Sequence, residues 1–103
     1  MIAAFIIAGL ASWFQPSSAY GIKPVCAMNV MPPGSYVQIV DESNGRRANC
    51  DVIGTGPFVP GRVIDVSPSV RDELGIYHSG IAPVRVYELP RPQRKPLDVY
   101  VKF

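Results

Sequence analysis

Glycine and proline interrupt this chain too often for long regular elements. Eleven prolines and nine glycines share 103 residues. The densest cluster, Gly54, Gly56, Pro57, Pro60 and Gly61, opens the stretch GTGPFVPGRVIDVS at residues 54–67. Proline fixes φ and removes a backbone donor, while glycine admits left-handed turns, so both mark the ends of regular runs. Short strands survive such interruption; long helices do not. The chain therefore reads as all-β, with room for one domain and one modest core.

Between the breaks, apolar residues recur with period two, the signature of half-buried strands. In residues 36–40, Val37 and Ile39 face one way and Tyr36, Gln38 and Val40 the other. Asn44-Gly45 separates this run from residues 46–53, where Ala48, Cys50 and Val52 alternate with Asn49, Asp51 and Ile53. An Asn-Gly pair between two extended runs is the strongest hairpin signal in the sequence. Residues 62–66 form another strand. SPSVRDELG then reads as a two-turn helix, with Ser67 as N-cap, Pro68 at the first helical position and Gly75 as its stop. Val70 and Leu74, four apart, share its buried face. Residues 82–89 give a strand with Val84 and Val86 on one face. PRPQRKP, with three prolines in seven residues, is a semi-rigid linker. LDVYVKF closes the chain with Leu97, Val99, Val101 and Phe103 alternating against Asp98, Tyr100 and Lys102. Five or six short strands and one late helix predict a small β-barrel whose helix covers an open end. Strand order does not follow from this pattern.

The first 14 residues, MIAAFIIAGLASWF, carry no charge. Such a run is short of the roughly 20 residues that span a bilayer as a helix, but it matches the apolar region of a signal peptide. Residues 1–10 are accordingly expected as an apolar targeting or anchor segment, residues 11–89 as the barrel, and 90–103 as linker and C-terminal strand. The alternative reading makes the first run a buried strand of the mature fold. The net charge of +2 is too small to argue for nucleic acid, although Arg46/Arg47 and Arg91/Arg94/Lys95 form local basic clusters. Cys26 and Cys50 accompany no CxxC and only one histidine, His78, so neither a metal site nor a cofactor is expected. In an exported chain the two cysteines form one disulfide; in the cytosol they would be two buried thiols. His78 reads as an exposed residue in a polar turn.

GPFVPGRVIDVSPSVRDELGI, followed by GIAPVRVYEL, resembles the rare-lipoprotein-A-like (RlpA-like) domains of bacterial envelope proteins. The family pattern runs Asp-Arg-Gly-Pro-Phe, then Gly-Arg and an apolar strand ending in Asp-(apolar)-Ser, then a short helix ending Leu-Gly. The turn Pro32-Pro33-Gly34-Ser35 and the segment Ala11-Ser12-Trp13-Phe14 are similar to further family elements. The resemblance covers most of residues 11–89 and is strongest over 54–89. It implies a six-stranded double-psi β-barrel with one short helix and a groove that binds glycan strands, chiefly peptidoglycan. Active members are lytic transglycosylases, which need an acid at the glycosidic oxygen.

The family's catalytic residues do not carry over. Its acid before Arg-Gly-Pro falls on Gly54, its arginine on Thr55 and its upstream histidine on Met28. A loop that carries a Glu and an Asp in active members is shortened here to QPSSAYGIKP. Asp65 matches the acid that follows the Gly-Arg strand and is the one catalytic candidate. Its alternative role is to accept hydrogen bonds from glycine-loop N–H groups or to pair with Arg62. Asp51, at an odd offset from Gly54, faces the other side of its strand. Phe58, Arg62 and Trp13 are the ligand-binding candidates, with Tyr20 and Tyr36 as further aromatic faces; Trp13 also suits core packing.

The function expected is an exported barrel of the periplasm, envelope or cell exterior that binds peptidoglycan or another glycan without lytic activity. One alternative is a divergent lytic transglycosylase using Asp65. Another is a structural subunit of an envelope complex or phage particle, with protein partners at residues 1–14 and 90–103.

Overall fold

The structure is a computed structural model and describes residues 3–76 and 80–91. Six strands form: β1 (Ala4–Trp13), β2 (Val25–Ala27), β3 (Tyr36–Asp41), β4 (Arg47–Gly54), β5 (Arg62–Val66) and β6 (Ala82–Glu88). A single turn of 3-10 helix lies at Ser18–Tyr20, and one α-helix, α1, spans Pro68–Leu74. The strands close into a barrel in the order β1-β5-β2-β4-β3-β6. β1 and β5 are parallel, as are β2 and β4, and the other neighbours are antiparallel. This is the double-psi barrel that the resemblance implies.

The period-two pattern fixes which side chains fill it. Val37 and Ile39 of β3, Val52 of β4, Ile64 and Val66 of β5, and Val84 and Val86 of β6 all point inward and are wholly buried. The β3–β4 hairpin forms as the Asn-Gly signal predicts, but its loop takes residues 42–46. Only Gly45 there has positive φ, 76°, and its N–H donates to the Asp41 carbonyl at 2.7 Å. The Asp41 carboxylate accepts the Ser43 N–H at 2.9 Å, bracing the same loop. Helix α1 begins at Pro68 and stops at Gly75, where φ is 80°, and it buries Val70 and Leu74 against the barrel. Ser67 takes the N-cap place without a side-chain cap bond; its hydroxyl accepts the Val25 N–H at 3.2 Å and ties the helix to β2.

Cys26 on β2 and Cys50 on β4 form the disulfide, with Cα atoms 6.0 Å apart. It joins the two strands of one parallel pair. Closing a loop of this length contributes about 3 kcal/mol.

The sequence-based boundary at residue 11 needs correction. Residues 4–10, set apart above as a targeting or anchor segment, form the first part of β1 and pair with β6 from Ala4↔Glu88 onward. A uniformly apolar run has no polar residues to reveal its period, so helix and strand cannot be told apart from pattern alone. No helix among the described residues is long and apolar enough to cross a membrane. His78 and the strand expected at 97–103 lie outside the described residues.

Candidate functional site

The strand registers bring four residues into one line across the barrel wall. Ser12 lies opposite Asp65, Asp65 opposite Ala27, and Ala27 opposite Gly54. Ile64 and Val66 point into the core, so Asp65 between them points out. The resulting row carries three small residues and one carboxylate, with Ser12 and Ala27 buried. Asp65 and Gly54 stand two strands apart, about 10 Å between backbones at the usual strand spacing.

Asp65 Oδ1 accepts a hydrogen bond from the Ser12 hydroxyl. Its Oδ2 faces the glycine loop, where a β-carbon on Gly56 would stand 4.0 Å away. Gly56 has φ 113°, a conformation that side chains other than glycine rarely adopt. The loop is held from its other side. Asn29 accepts the Gly56 N–H at 2.9 Å and donates from Nδ2 to the Pro57 carbonyl at 2.8 Å. One amide thus clamps both sides of the Gly56–Pro57 bond. The Met28 N–H donates to the Gly54 carbonyl at 3.1 Å, extending the clamp to the end of β4.

The candidate residues take separate fates in this frame. Phe58, next after the clamped proline, is 82% exposed and stands beside Gly56 and hence near Asp65. It is a bare aromatic ring beside that row. Arg62 starts β5 across from Leu10 and forms no ion pair with Asp65 among the described residues. β5 bulges between them, so Arg62, opposite Leu10, and Asp65, opposite Ser12, share the outer face, yet no ion pair joins them among the described residues. Neither the Arg62 pairing nor a bond from the glycine-loop N–H groups is therefore what holds Asp65. That role falls to Ser12.

Trp13 is neither core nor open platform. It is 43% exposed, with the Arg71 guanidinium of α1 4.3 Å above its ring and Gly80 against its indole edge. The contact fastens the helix to β1 by a cation–π interaction. Tyr36 lies under Arg91, whose guanidinium carbon is 5.7 Å from the ring centre. Asp51 is buried and salt-bridged to Arg91 at 2.7 Å, away from the row through Asp65. Met28 is fully buried in the core.

Two contributors escape the sequence reading. Asn29 had no signal, because its partners are backbone atoms 27 and 28 residues away. Ser12 was within reach, since it sits in the quoted Ala11-Ser12-Trp13-Phe14, but only the closed barrel shows which carboxylate it meets.

A closed six-stranded barrel with two parallel crossings and one short helix defines the double-psi class. The lytic transglycolase family model matches residues 6–86. The chain belongs to that family, the RlpA-like double-psi barrels. A probable endolytic peptidoglycan transglycosylase RlpA of Nostoc sp. is 32% identical over 95 residues, covering 81% of this chain and 26% of that protein. The endolytic peptidoglycan transglycosylase RlpA of Neisseria meningitidis is 28% identical over 114 residues, covering 97% of this chain and 48% of that protein. The chain thus spans between a quarter and a half of these relatives' length. Among solved structures, a mutant Clavibacter michiganensis expansin in complex with cellohexaose aligns with a TM-score of 0.70 at 12% identity, over 91% of this chain and 54% of that one. The Streptomyces papain inhibitor aligns at 0.63 and 16% identity, over 82% of this chain and 94% of that one. At such identities these two matches speak for the fold alone.

Proposed function

We propose that this barrel binds glycan strands of the peptidoglycan type in the groove across Ser12, Asp65, Ala27 and Gly54, and holds them without cutting. The bare position at Gly54 carries this reading. Lytic cleavage needs a proton donor at the glycosidic oxygen. At the place that resembles the family's acid there is no side chain, and nothing lies within 4 Å of where its β-carbon would be. The position resembling the family's histidine is Met28, a buried hydrophobe. One carboxylate remains, and its Oδ1 is engaged by Ser12.

The means of binding are intact. Phe58 offers an aromatic face, and the adjacent Asp65 carboxylate can accept sugar hydroxyls. The Asn29 clamp holds the loop between them before any ligand arrives, which lowers the ordering cost of binding. Relatives named as endolytic peptidoglycan transglycosylases support a glycan as the ligand. The Cys26–Cys50 disulfide suits an oxidising compartment and supports export to the envelope, periplasm or cell exterior.

Co-sedimentation with purified sacculi tests the reading, with an active relative run in parallel for muropeptide release. The protein should be retained, and Phe58→Ala or Asp65→Asn should each weaken retention roughly tenfold. No anhydro-muropeptides should appear. Release of such products, abolished by Asp65→Asn, would establish the divergent transglycosylase instead. Absence of retention would remove the glycan reading altogether.

A further inference from the structure

The row through Asp65 crosses β1, β5, β2 and β4 and leaves β6 and β3 on the far wall of the barrel. Two arginines stand on that side. Arg85 of β6 and Arg47 of β4 both lie opposite Val40 of β3, one to each side of it, so the three form a second row. Val84 and Val86 point into the core, so Arg85 between them points out, and Arg47 is likewise exposed. Two strand spacings put their backbones about 10 Å apart.

Both side chains are held, and both by neutral partners. The Arg85 guanidinium lies over the Phe5 ring, 4.6 Å from its centre, and its Nε donates to the Tyr87 hydroxyl at 3.2 Å. Phe5 and Tyr87 brace each other edge to face, with ring centres 5.8 Å apart. Arg47 Nη1 donates to Gln38 Oε1 at 3.3 Å. Arg71 and Arg91, by contrast, each pair with an acid, Asp72 and Asp51. Neither Arg85 nor Arg47 has such a partner among the described residues. Tyr87 first, and Glu42 after it, push the Arg85 guanidinium above its ordinary value, yet Glu42 forms no ion pair with it. Both Nη groups of Arg85 are left without a partner among the described residues. A guanidinium laid flat on a ring with its outer edge free takes a carboxylate by two parallel bonds, and it has little side-chain freedom left to lose.

We propose that this far wall is a second binding site, which takes the free carboxylates on the peptides of peptidoglycan while the groove takes the sugar backbone. In intact peptidoglycan the sugar's own carboxyl group is tied up in an amide bond to the peptide, so the free carboxylates lie on the peptides. Arg85 supplies the forked contact and Arg47 a second positive charge, which suits a peptide that carries more than one acid. The proposal rests on the glycan reading above, and two contacts to one polymer reinforce each other through effective concentration.

Co-sedimentation of the full chain with sacculi freed of phosphate-bearing polymers tests this, using native sacculi and sacculi whose carboxylates are amidated with carbodiimide and ammonia. Retention should fall about tenfold on amidation, and about tenfold on native sacculi when Arg47→Gln is combined with Arg85→Gln. Amidation and the double variant together should lower it no further. The difference should shrink as salt is raised from about 0.05 M to about 0.5 M. Both side chains are exposed, so the Tm of the variant should fall by no more than about 5 °C. Equal retention of variant and unsubstituted chain on native sacculi overturns the proposal. So does a loss as large on amidated as on native sacculi, because the arginines would then not read carboxylates. Phe58→Ala, run alongside, separates the two sites. A loss with Phe58→Ala and none with the arginine variant removes the far wall alone; the reverse keeps the far wall and removes the groove as the sugar site.

Discussion

Asp65 and Gly54 lie on one line across the barrel, each on the later strand of a parallel pair, and the chain treats them differently. On the β1–β5 side, Asp65 is bonded to Ser12 and faced by the glycine loop. On the β2–β4 side, Gly54 has open space where a side chain would go. Beneath them the two halves are alike. Ile64 and Val66 fill the core under one, and Val52 with the Cys26–Cys50 bridge fills it under the other. Inward residues are constrained by packing and outward ones only by chemistry. An outward position such as Gly54 can therefore stand without a side chain and leave the core intact.

The sharpest way to break this comparison is from inside. Ile64→Ala, directly beside Asp65 in sequence but facing the core, should destabilise by about 3 kcal/mol or more through lost burial and a residual cavity. Urea unfolding measures this. A loss below about 1 kcal/mol would mean that the core does not set the barrel's stability. Replacing both cysteines, Cys26→Ala with Cys50→Ala, should cost about 3 kcal/mol by releasing the loop constraint on the β2–β4 half. Sacculus retention at low temperature should survive both changes, because neither touches the groove surface.

Asn29→Ala should cost about 1–2 kcal/mol by leaving the Gly56 N–H and the Pro57 carbonyl without their partner. Unlike the core variants, it should also weaken sacculus retention, since Phe58 follows directly on the clamped bond. Retention equal to that of the unsubstituted chain would show that Phe58 keeps its position without the clamp.

What the sequence made legible follows the same division. Local signals worked wherever the partner was close in the chain: Pro68 and Gly75 bounded the helix, Asn44-Gly45 placed the hairpin, and alternation put Val37 with Ile39, and Ala48 and Cys50 with Val52, on single faces, which the barrel buries. The family motif then supplied the strand crossings, which pattern alone could not. Contacts of long sequence separation stayed hidden. Ser12 and Asp65 are 53 residues apart, and the Asn29 clamp binds backbone atoms that leave no mark on residue choice. The apolar start of β1 was misplaced because it has no polar residues to mark its period. Arg62 was paired with Asp65 by proximity along the chain, but the bulge in β5 lies between them and Asp65 is bonded to Ser12 instead.

The smallest expected effect tests the comparison most directly. Gly54→Asp should change stability by no more than about 0.5 kcal/mol. The backbone there has no positive φ, and its β-carbon would meet nothing within 4 Å. The new carboxylate would share the groove row with Asp65 at about 10 Å between backbones, far enough in open solvent for salt to screen most of the repulsion. Thermal unfolding checks this half of the claim; a large loss would mean that Gly54 is kept for the fold. The other half concerns chemistry. With Met28 buried and apolar, and Thr55 at the position that resembles the family's arginine, one added acid should release no anhydro-muropeptides from sacculi. If it did, the difference between holding a glycan and cutting it would reduce in this barrel to a single missing side chain.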